Sequence, residues 1–228
     1  MNDQRVPKPQ RRETSSLIDA LTRDLPNPSE SASWPARFVL VWALAIASYI
    51  VSAFVIVASW PDRASLPSNL FDARFLTTSA LWLVAFATCA RICYLYAMPF
   101  SKLQTTKAFA FGAVLLLGIV TLAGEPIVAF LGDFPHELAF NQGPCGFFIL
   151  LTGVVTGAFV LTTMRRAAAS RLSASGAWTL AASGCLSSFF MHLICRHESP
   201  AHILLWHVLP IVLIVGLGMK LASVILRD

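Results

Sequence analysis

Six apolar blocks divide the sequence, and each is long enough to cross a bilayer as a helix, because about 20 apolar residues span the hydrocarbon core. They cover residues 38–60, 75–98, 108–130, 145–164, 176–195 and 203–226. Of the 228 residues, 56% are hydrophobic and 13% are charged, whereas about a quarter of a soluble domain is charged. The blocks therefore predict an all-α fold, a polytopic membrane bundle of six transmembrane helices.

Lysine and arginine are distributed unevenly over the segments between these blocks. Of the 17 basic residues, all but Arg63, Arg74 and Arg196 lie in the N-terminal tail, in the second and fourth loops, or in the halves of the apolar blocks nearest to the second loop and the C-terminus. Because basic residues favour the cytoplasmic side of a membrane, both termini are predicted to be cytoplasmic. The net charge of +5 is then a topology signal, and no direct contact with nucleic acid is expected.

Two cysteines mark the ends of an apolar hairpin. Cys145 opens the fourth block and Cys195 closes the fifth, at equal distances along the chain from Ser170 in the basic turn between them. Since a helix rises about 1.5 Å per residue, both thiols are expected at the same membrane face. The basic turn is predicted to be cytoplasmic, so this face is the oxidising one, which suits a sensor or a disulfide.

A histidine lies close to the second of these cysteines. His192 precedes Cys195 by three residues, which places both on one face of a helix. Thiolates and imidazoles bind zinc and softer transition metals, so Cys145, Cys195 and His192 are candidate metal ligands. The alternative is that histidines gather by chance in short polar outer loops. Cys89 and Cys93, one helical turn apart, are interpreted as small buried groups.

The N-terminal residues 1–37 are polar and rich in proline, and they predict a cytosolic tail ahead of a membrane domain at 38–228. Residues 14–25 of this tail predict a short amphipathic helix. Its apolar face consists of Leu17, Ile18, Leu21 and Leu25. So short a helix is marginally stable in water and needs a surface to cover that face. The surface is another protein, the membrane, or the chain's own loops.

Enzymatic activity is not expected. The sequence has no Gly-rich phosphate loop, no nucleophile elbow and no carboxylate pair at mid-membrane. Scarce ionisable groups in the middle of the blocks disfavour a proton-coupled carrier or an ion pump. A competing class is a membrane redox, haem-binding or metal-binding protein, or a small transporter, whose outer-face cysteines and histidines hold the group. A structural membrane subunit with a docking tail is a third possibility.

Several short motifs occur in order along the chain. They are Leu17-Ile18-Asp19-Ala20-Leu21, Gly143-Pro144-Cys145, Arg165-Arg166-Ala167-Ala168, the small-residue run Gly176 to Gly184, then Cys195, Pro200 and Trp206-His207. In their order and spacing the chain resembles the NrsF/OsrA family of six-span anti-sigma factors in the bacterial inner membrane. The resemblance implies an ECF sigma factor of the SigF type as partner. The tail helix at 14–25 is then the segment expected to bind it.

The resemblance also implies that two cysteines near the periplasmic face, Cys145 and Cys195 here, sense oxidants or heavy metals. A transition or heavy metal ion would then be the signal, and no cofactor is required. The sequence departs from the family pattern at two places. His192 stands three residues before the second cysteine instead of directly before it, and residues 168–170 contain no proline. The inducing signal, the choice between a disulfide within one chain or between two, and the oligomeric state are left open by the sequence.

Overall fold

The computed structural model describes residues 28–59, 72–97, 132, 135, 144–164, 172–195, 197 and 199–225. Within these residues the chain is helical and contains no strand. The long helices are α1 (Pro28–Ser59), α2 (Ala73–Ala97), α3 (Pro144–Met164) and α4 (Leu172–Ile194). A C-terminal helix follows, in which α5 (Pro200–His202) continues through a π-helical segment (Ile203–Val208) into α6 (Leu209–Ile225).

Five stretches of helix are long and apolar enough to cross a membrane. They are Pro35–Ser59, Ala73–Tyr96, Cys145–Thr163, Ala174–Ile194 and Pro200–Lys220. Each overlaps a block that the sequence predicts to be a span, so the prediction of an all-helical membrane protein is confirmed for the described part of the chain. The predicted span at 108–130, the tail helix at 14–25 and the basic turn at 165–171 lie outside the described residues.

Large apolar side chains are exposed along these helices. Phe54 of α1 is 77% exposed, Phe147 of α3 is 62% exposed and Val212 of α6 is 61% exposed. In water, apolar surface of this extent would favour association with another surface. In a bilayer the same side chains contact lipid without penalty, so the exposure pattern agrees with the membrane assignment.

Helix α1 begins before the apolar block that predicts it. The block starts at Phe38, whereas the helix starts at Pro28 and continues through Pro35. Apolarity marks the part of a helix that suits lipid, and backbone hydrogen bonding extends beyond that part into polar sequence. Proline suits the first position of a helix because its ring fixes φ near the helical value. The chain divides within this helix into units 1–37 and 38–228, and the packing described below belongs to the second.

Helix α4 lies at the centre of the packing, against α2, α3 and α6. Small residues allow its neighbours to approach closely. A Cβ added at Gly184 would lie 2.7 Å from Cδ1 of Ile214 on α6, and one added at Gly153 of α3 would lie 3.5 Å from Cα of Gly184. Ser183 of α4 donates a hydrogen bond of 2.8 Å to the carbonyl oxygen of Gly153. The backbones of α3 and α4 are therefore almost in contact, and the Ile214 side chain of α6 packs directly on the backbone of α4.

Aromatic pairs join α1 to this core. The rings of Trp42 on α1 and Phe86 on α2 have centroids 5.1 Å apart in an edge-to-face arrangement. Tyr49 stacks on Phe190 of α4 at 5.5 Å, and its hydroxyl donates a hydrogen bond of 3.5 Å to the carbonyl oxygen of Ser183. Aromatic contacts of this kind each contribute about 0.5–1.5 kcal/mol beyond the area they bury.

Candidate functional site

The start of α3 and the end of α4 bring two thiols together. Cys145 is the second residue of α3, and Cys195 directly follows the last residue of α4. Their Sγ atoms lie 3.7 Å apart, although the residues are 50 positions apart in the chain. No disulfide bond joins them in this structure. Because a disulfide has a sulfur–sulfur length of about 2.05 Å, a small movement of either helix end would allow the bond to form.

Apolar packing holds the two helix ends in this position. Ile149 of α3 and Met191 and Ile194 of α4 form a buried cluster that packs against Cys145. Gly146 allows the C-terminal helix to pack closely against the start of α3, since a Cβ at residue 146 would lie 2.9 Å from Cε3 of Trp206. The thiol pair is therefore framed by three helices.

Two histidines of the C-terminal helix complete a cluster with the thiols. One candidate ligand atom from each of Cys145, Cys195, His202 and His207 lies within 4.8 Å of the other three. Nε2 of His202 is 3.3 Å from Sγ of Cys195, and the two imidazole centroids are 5.6 Å apart. Both histidines are 0% exposed. We call these four residues the Cys/His centre.

The π-helical segment places both histidines at this centre. His202 and His207 are five residues apart, a spacing that an α-helix of 3.6 residues per turn separates by about 140°. In a π-helix, hydrogen bonds join residues five apart, so such residues lie one above the other. The backbone N–H of Leu209 donates to the carbonyl oxygen of Leu204, which is a bond of this kind. The sequence does not predict either histidine as a ligand, because a spacing of five places the two residues on different faces of a regular helix.

Hydrogen bonds fix the beginning of the C-terminal helix. The Ser199 side chain accepts a hydrogen bond of 3.1 Å from the backbone N–H of His202, as a helix-capping residue does. This cap precedes Pro200, whose fixed φ suits the first helical turn. The ring of His202 is thereby presented to Cys195 from a well-defined backbone.

The electrostatics of the Cys/His centre favour protonated Cys195 when no ion is bound. The hydrogen bond with the thiol of Cys145 raises the pKa of Cys195 above its usual value, and burial raises it further. The imidazoles of His202 and His207 oppose this rise. Both ring nitrogens of His207 are buried, and no hydrogen bond of ordinary geometry reaches either of them from the described residues. A buried polar atom without a partner costs about 1–3 kcal/mol, so an additional ligand at this place would be favourable.

The structure places His192 beside the Cys/His centre but outside the group of four. Its ring stacks on Phe75 of α2 at a centroid distance of 4.8 Å. The ring of His207 lies 6.3 Å away in an edge-to-face arrangement. Cys195 lies beyond the last residue of α4, so the helical spacing that places His192 on its face no longer applies there. A ligand role for His192 stays a prediction.

The remaining cysteines lie elsewhere in the bundle. Sγ of Cys93 is 3.1 Å from the Thr179 hydroxyl, and Cys89 interacts with Cys185. All three thiols are buried. They lie at the interface between α2 and α4, away from the Cys/His centre.

These features define a helical membrane protein with a buried thiol and imidazole cluster between three of its helices. A family model described as negative regulator of sigma F matches residues 21–227. The chain therefore belongs to the NrsF family, as its sequence motifs predict. Membership implies a regulatory protein whose partner is a sigma factor, an anti-sigma factor by class. No curated protein and no solved structure matched the chain.

Proposed function

We propose that the chain is an anti-sigma factor of the bacterial inner membrane that holds an ECF sigma factor of the SigF type. In this proposal the tail helix at 14–25 binds the sigma factor and keeps it from RNA polymerase. Oxidation of Cys145 and Cys195, or binding of a heavy metal to them, releases it. The observation that carries the sensor part is the 3.7 Å separation of the two Sγ atoms in a member of this family.

The proposed binding mode is a helix in a groove. The apolar face of the tail, formed by Leu17, Ile18, Leu21 and Leu25, has the spacing with which amphipathic helices fill grooves of partner proteins. The opposite face carries Asp19, Arg23 and Asp24 and is not rich in basic residues. A helix that lies on anionic lipid is usually rich in basic residues on its polar face, so the composition of this helix favours a protein partner.

Packing around α4 supports a route from the thiols to the rest of the bundle. Cys195 follows the last residue of α4, and this helix contacts α2, α3 and α6. Close contacts such as Gly184 with Ile214 leave little free volume, so a displaced end of α4 must move its neighbours. A hundredfold change in sigma affinity needs about 2.7 kcal/mol of coupling, which is within the usual range for allostery.

The sensor role is tested by a pull-down of the SigF-type sigma factor on the full-length membrane protein. The wild type, the double variant Cys145→Ser/Cys195→Ser and the control variant Cys93→Ser are each treated with a thiol oxidant or with Cd²⁺. Release from the wild type and the control, together with retention by the double variant, supports the proposal. Equal release from all three proteins would contradict it.

The tail is tested separately, without any reagent. Leu17→Asp/Leu21→Asp places two charges on the apolar face, and we expect sigma binding to be lost. The matched control Asp19→Asn/Arg23→Gln alters the polar face and should bind as the wild type does. Full binding by the leucine variant would refute the groove model.

The Cys/His centre is also compatible with a second function, in which the protein binds a metal or haem as its own cofactor. A purified protein that is coloured and binds no sigma factor under any condition would favour this function. Sigma factor that co-purifies with a colourless protein favours the regulator.

A further inference from the structure

The geometry points to a tetrahedral site for a divalent, thiophilic cation of the Zn²⁺ class, with Cys145, Cys195, His202 and His207 as its four ligands. Two cysteines with two histidines form one of the usual ligand sets of tetrahedral zinc. The inference deepens the proposed sensor role and relies on it only for the physiological meaning of binding. The two cysteines of the proposed sensor are thereby joined by two histidines of the C-terminal helix as ligands of the same ion.

The distances within the Cys/His centre agree with such an ion. Two sulfurs at about 2.3 Å from a tetrahedral metal lie about 3.8 Å from each other. The two Sγ atoms are 3.7 Å apart. A sulfur and a nitrogen bound to the same ion lie about 3.5 Å apart, and Sγ of Cys195 is 3.3 Å from Nε2 of His202. Both measured separations are therefore close to those of a bound ion, and the ligand atom of His207 lies within 4.8 Å of the other three.

Burial of the site and the charge of its two thiolates favour a divalent ion over a monovalent one. Cys195, His202 and His207 are 5%, 0% and 0% exposed. An uncompensated charge in such surroundings is unfavourable. Two thiolates balance a divalent cation, whereas a monovalent cation would leave one negative charge. The reaction is two thiols plus M²⁺ giving two metal–sulfur bonds and two protons, which leave to water.

The imidazole of His207 is a second indication. Both of its nitrogens are buried, and no hydrogen bond of ordinary geometry reaches either of them from the described residues. In a neutral imidazole one of the two nitrogens carries a lone pair, which it can donate to a metal ion. The π-helical segment points this ring toward the thiols, and π-helical turns occur frequently at functional sites.

Zinc binding to the reduced, full-length protein in detergent tests the inference. After incubation with Zn²⁺ and gel filtration, the retained metal is counted by elemental analysis. We expect one equivalent in the wild type. Cys145→Ser, Cys195→Ser, His202→Gln and His207→Gln should each weaken binding by more than about tenfold, because even an outer partner of a ligand contributes about 10–100-fold. Cys93→Ser is the control and should bind as the wild type does, because the Cys93 thiol contacts Thr179 and not the Cys/His centre.

X-ray absorption on the wild type keeps the test valid if a variant fails to fold. Two sulfur and two nitrogen neighbours of zinc are the expected result. A wild type that retains no zinc, a coordination shell without two sulfurs, or loss of binding in the control instead of in His202→Gln and His207→Gln would overturn the inference. Metal retention is measured without a sigma factor, so its failure and a failure of sigma sequestration are distinguishable.

Discussion

Individual side chains decide what the Cys/His centre does chemically. The same two thiols are suited both to bond with each other and to share an ion. Their sulfur atoms lie 3.7 Å apart, close to the separation in a metal site and about 1.7 Å longer than in a disulfide. An ion bound between them would keep the sulfurs apart and occupy their lone pairs. Metal binding and disulfide formation are therefore mutually exclusive at this place.

A disulfide within one chain is the expected product of oxidation. Treatment of the metal-free protein with a thiol oxidant should join Cys145 to Cys195, because no other thiol lies nearer to either among the described residues. Peptide mass spectrometry identifies the linkage, and gel electrophoresis without reductant shows whether the chain remains monomeric. Pre-loading with Zn²⁺ should slow the reaction.

The outcome for two variants makes this prediction specific. Cys93→Ser removes a buried thiol that contacts Thr179 and should leave the linkage unchanged. Cys195→Ser should abolish it. A covalent dimer in place of the intrachain product would show that the thiols react between chains.

At the level of elements, sequence pattern predicts the helices better than it predicts the site. Five of the six apolar blocks coincide with described helices that can cross a membrane, because apolar length is a local property of the chain. Counting residues from the basic turn also predicts that Cys145 and Cys195 lie at the same end of their helices. It does not predict that His202 and His207 lie beside these thiols, because their position depends on a π-helical segment. A single wide turn leaves no mark in composition, and it decides which residues share a face.

Close contact between α4 and α6 makes one glycine position more sensitive than its neighbour. A Cβ added at Gly218 would lie 2.7 Å from the carbonyl oxygen of Gly176, a backbone atom that cannot easily move. One added at Gly216 meets no atom of the described residues within 4 Å. We expect Gly218→Ala to destabilise the protein by about 1–3 kcal/mol, the usual effect of overpacking.

Gly216→Ala is the matched control for this substitution. It should be neutral or slightly stabilising, since alanine favours a helix over glycine by about 1 kcal/mol. Thermal unfolding of both variants in the same detergent provides the comparison. Equal transition temperatures would mean that α4 and α6 are less closely packed than described.

For the whole molecule, the distribution of basic residues predicts one orientation in the membrane. The predicted topology places the N-terminus, the basic turn at 165–171 and the C-terminus in the cytoplasm, and the Cys/His centre on the other side. Alkaline phosphatase folds only outside the cytoplasm and reports this directly. A fusion after Glu137 should be active and one after Arg166 inactive.

Replacing the basic residues provides the control for this experiment. Arg165→Glu/Arg166→Glu should weaken the orientation signal and raise the activity of the fusion at the turn. High activity of the unaltered fusion after Arg166 would reverse the predicted topology and place the thiols in the cytoplasm, where glutathione keeps such pairs reduced.

The π-helical segment also has a consequence for changes in chain length. It contains one residue more than a regular turn would need between Ile203 and Val208. Deleting one residue between His202 and His207 would restore a uniform α-helix in which the two imidazoles, then four positions apart, still share one face. Keeping all the residues in a regular α-helix would instead place the two imidazoles about 140° apart. The wide turn thus lets the chain carry an additional residue between the two histidines without moving either ring away from the thiols.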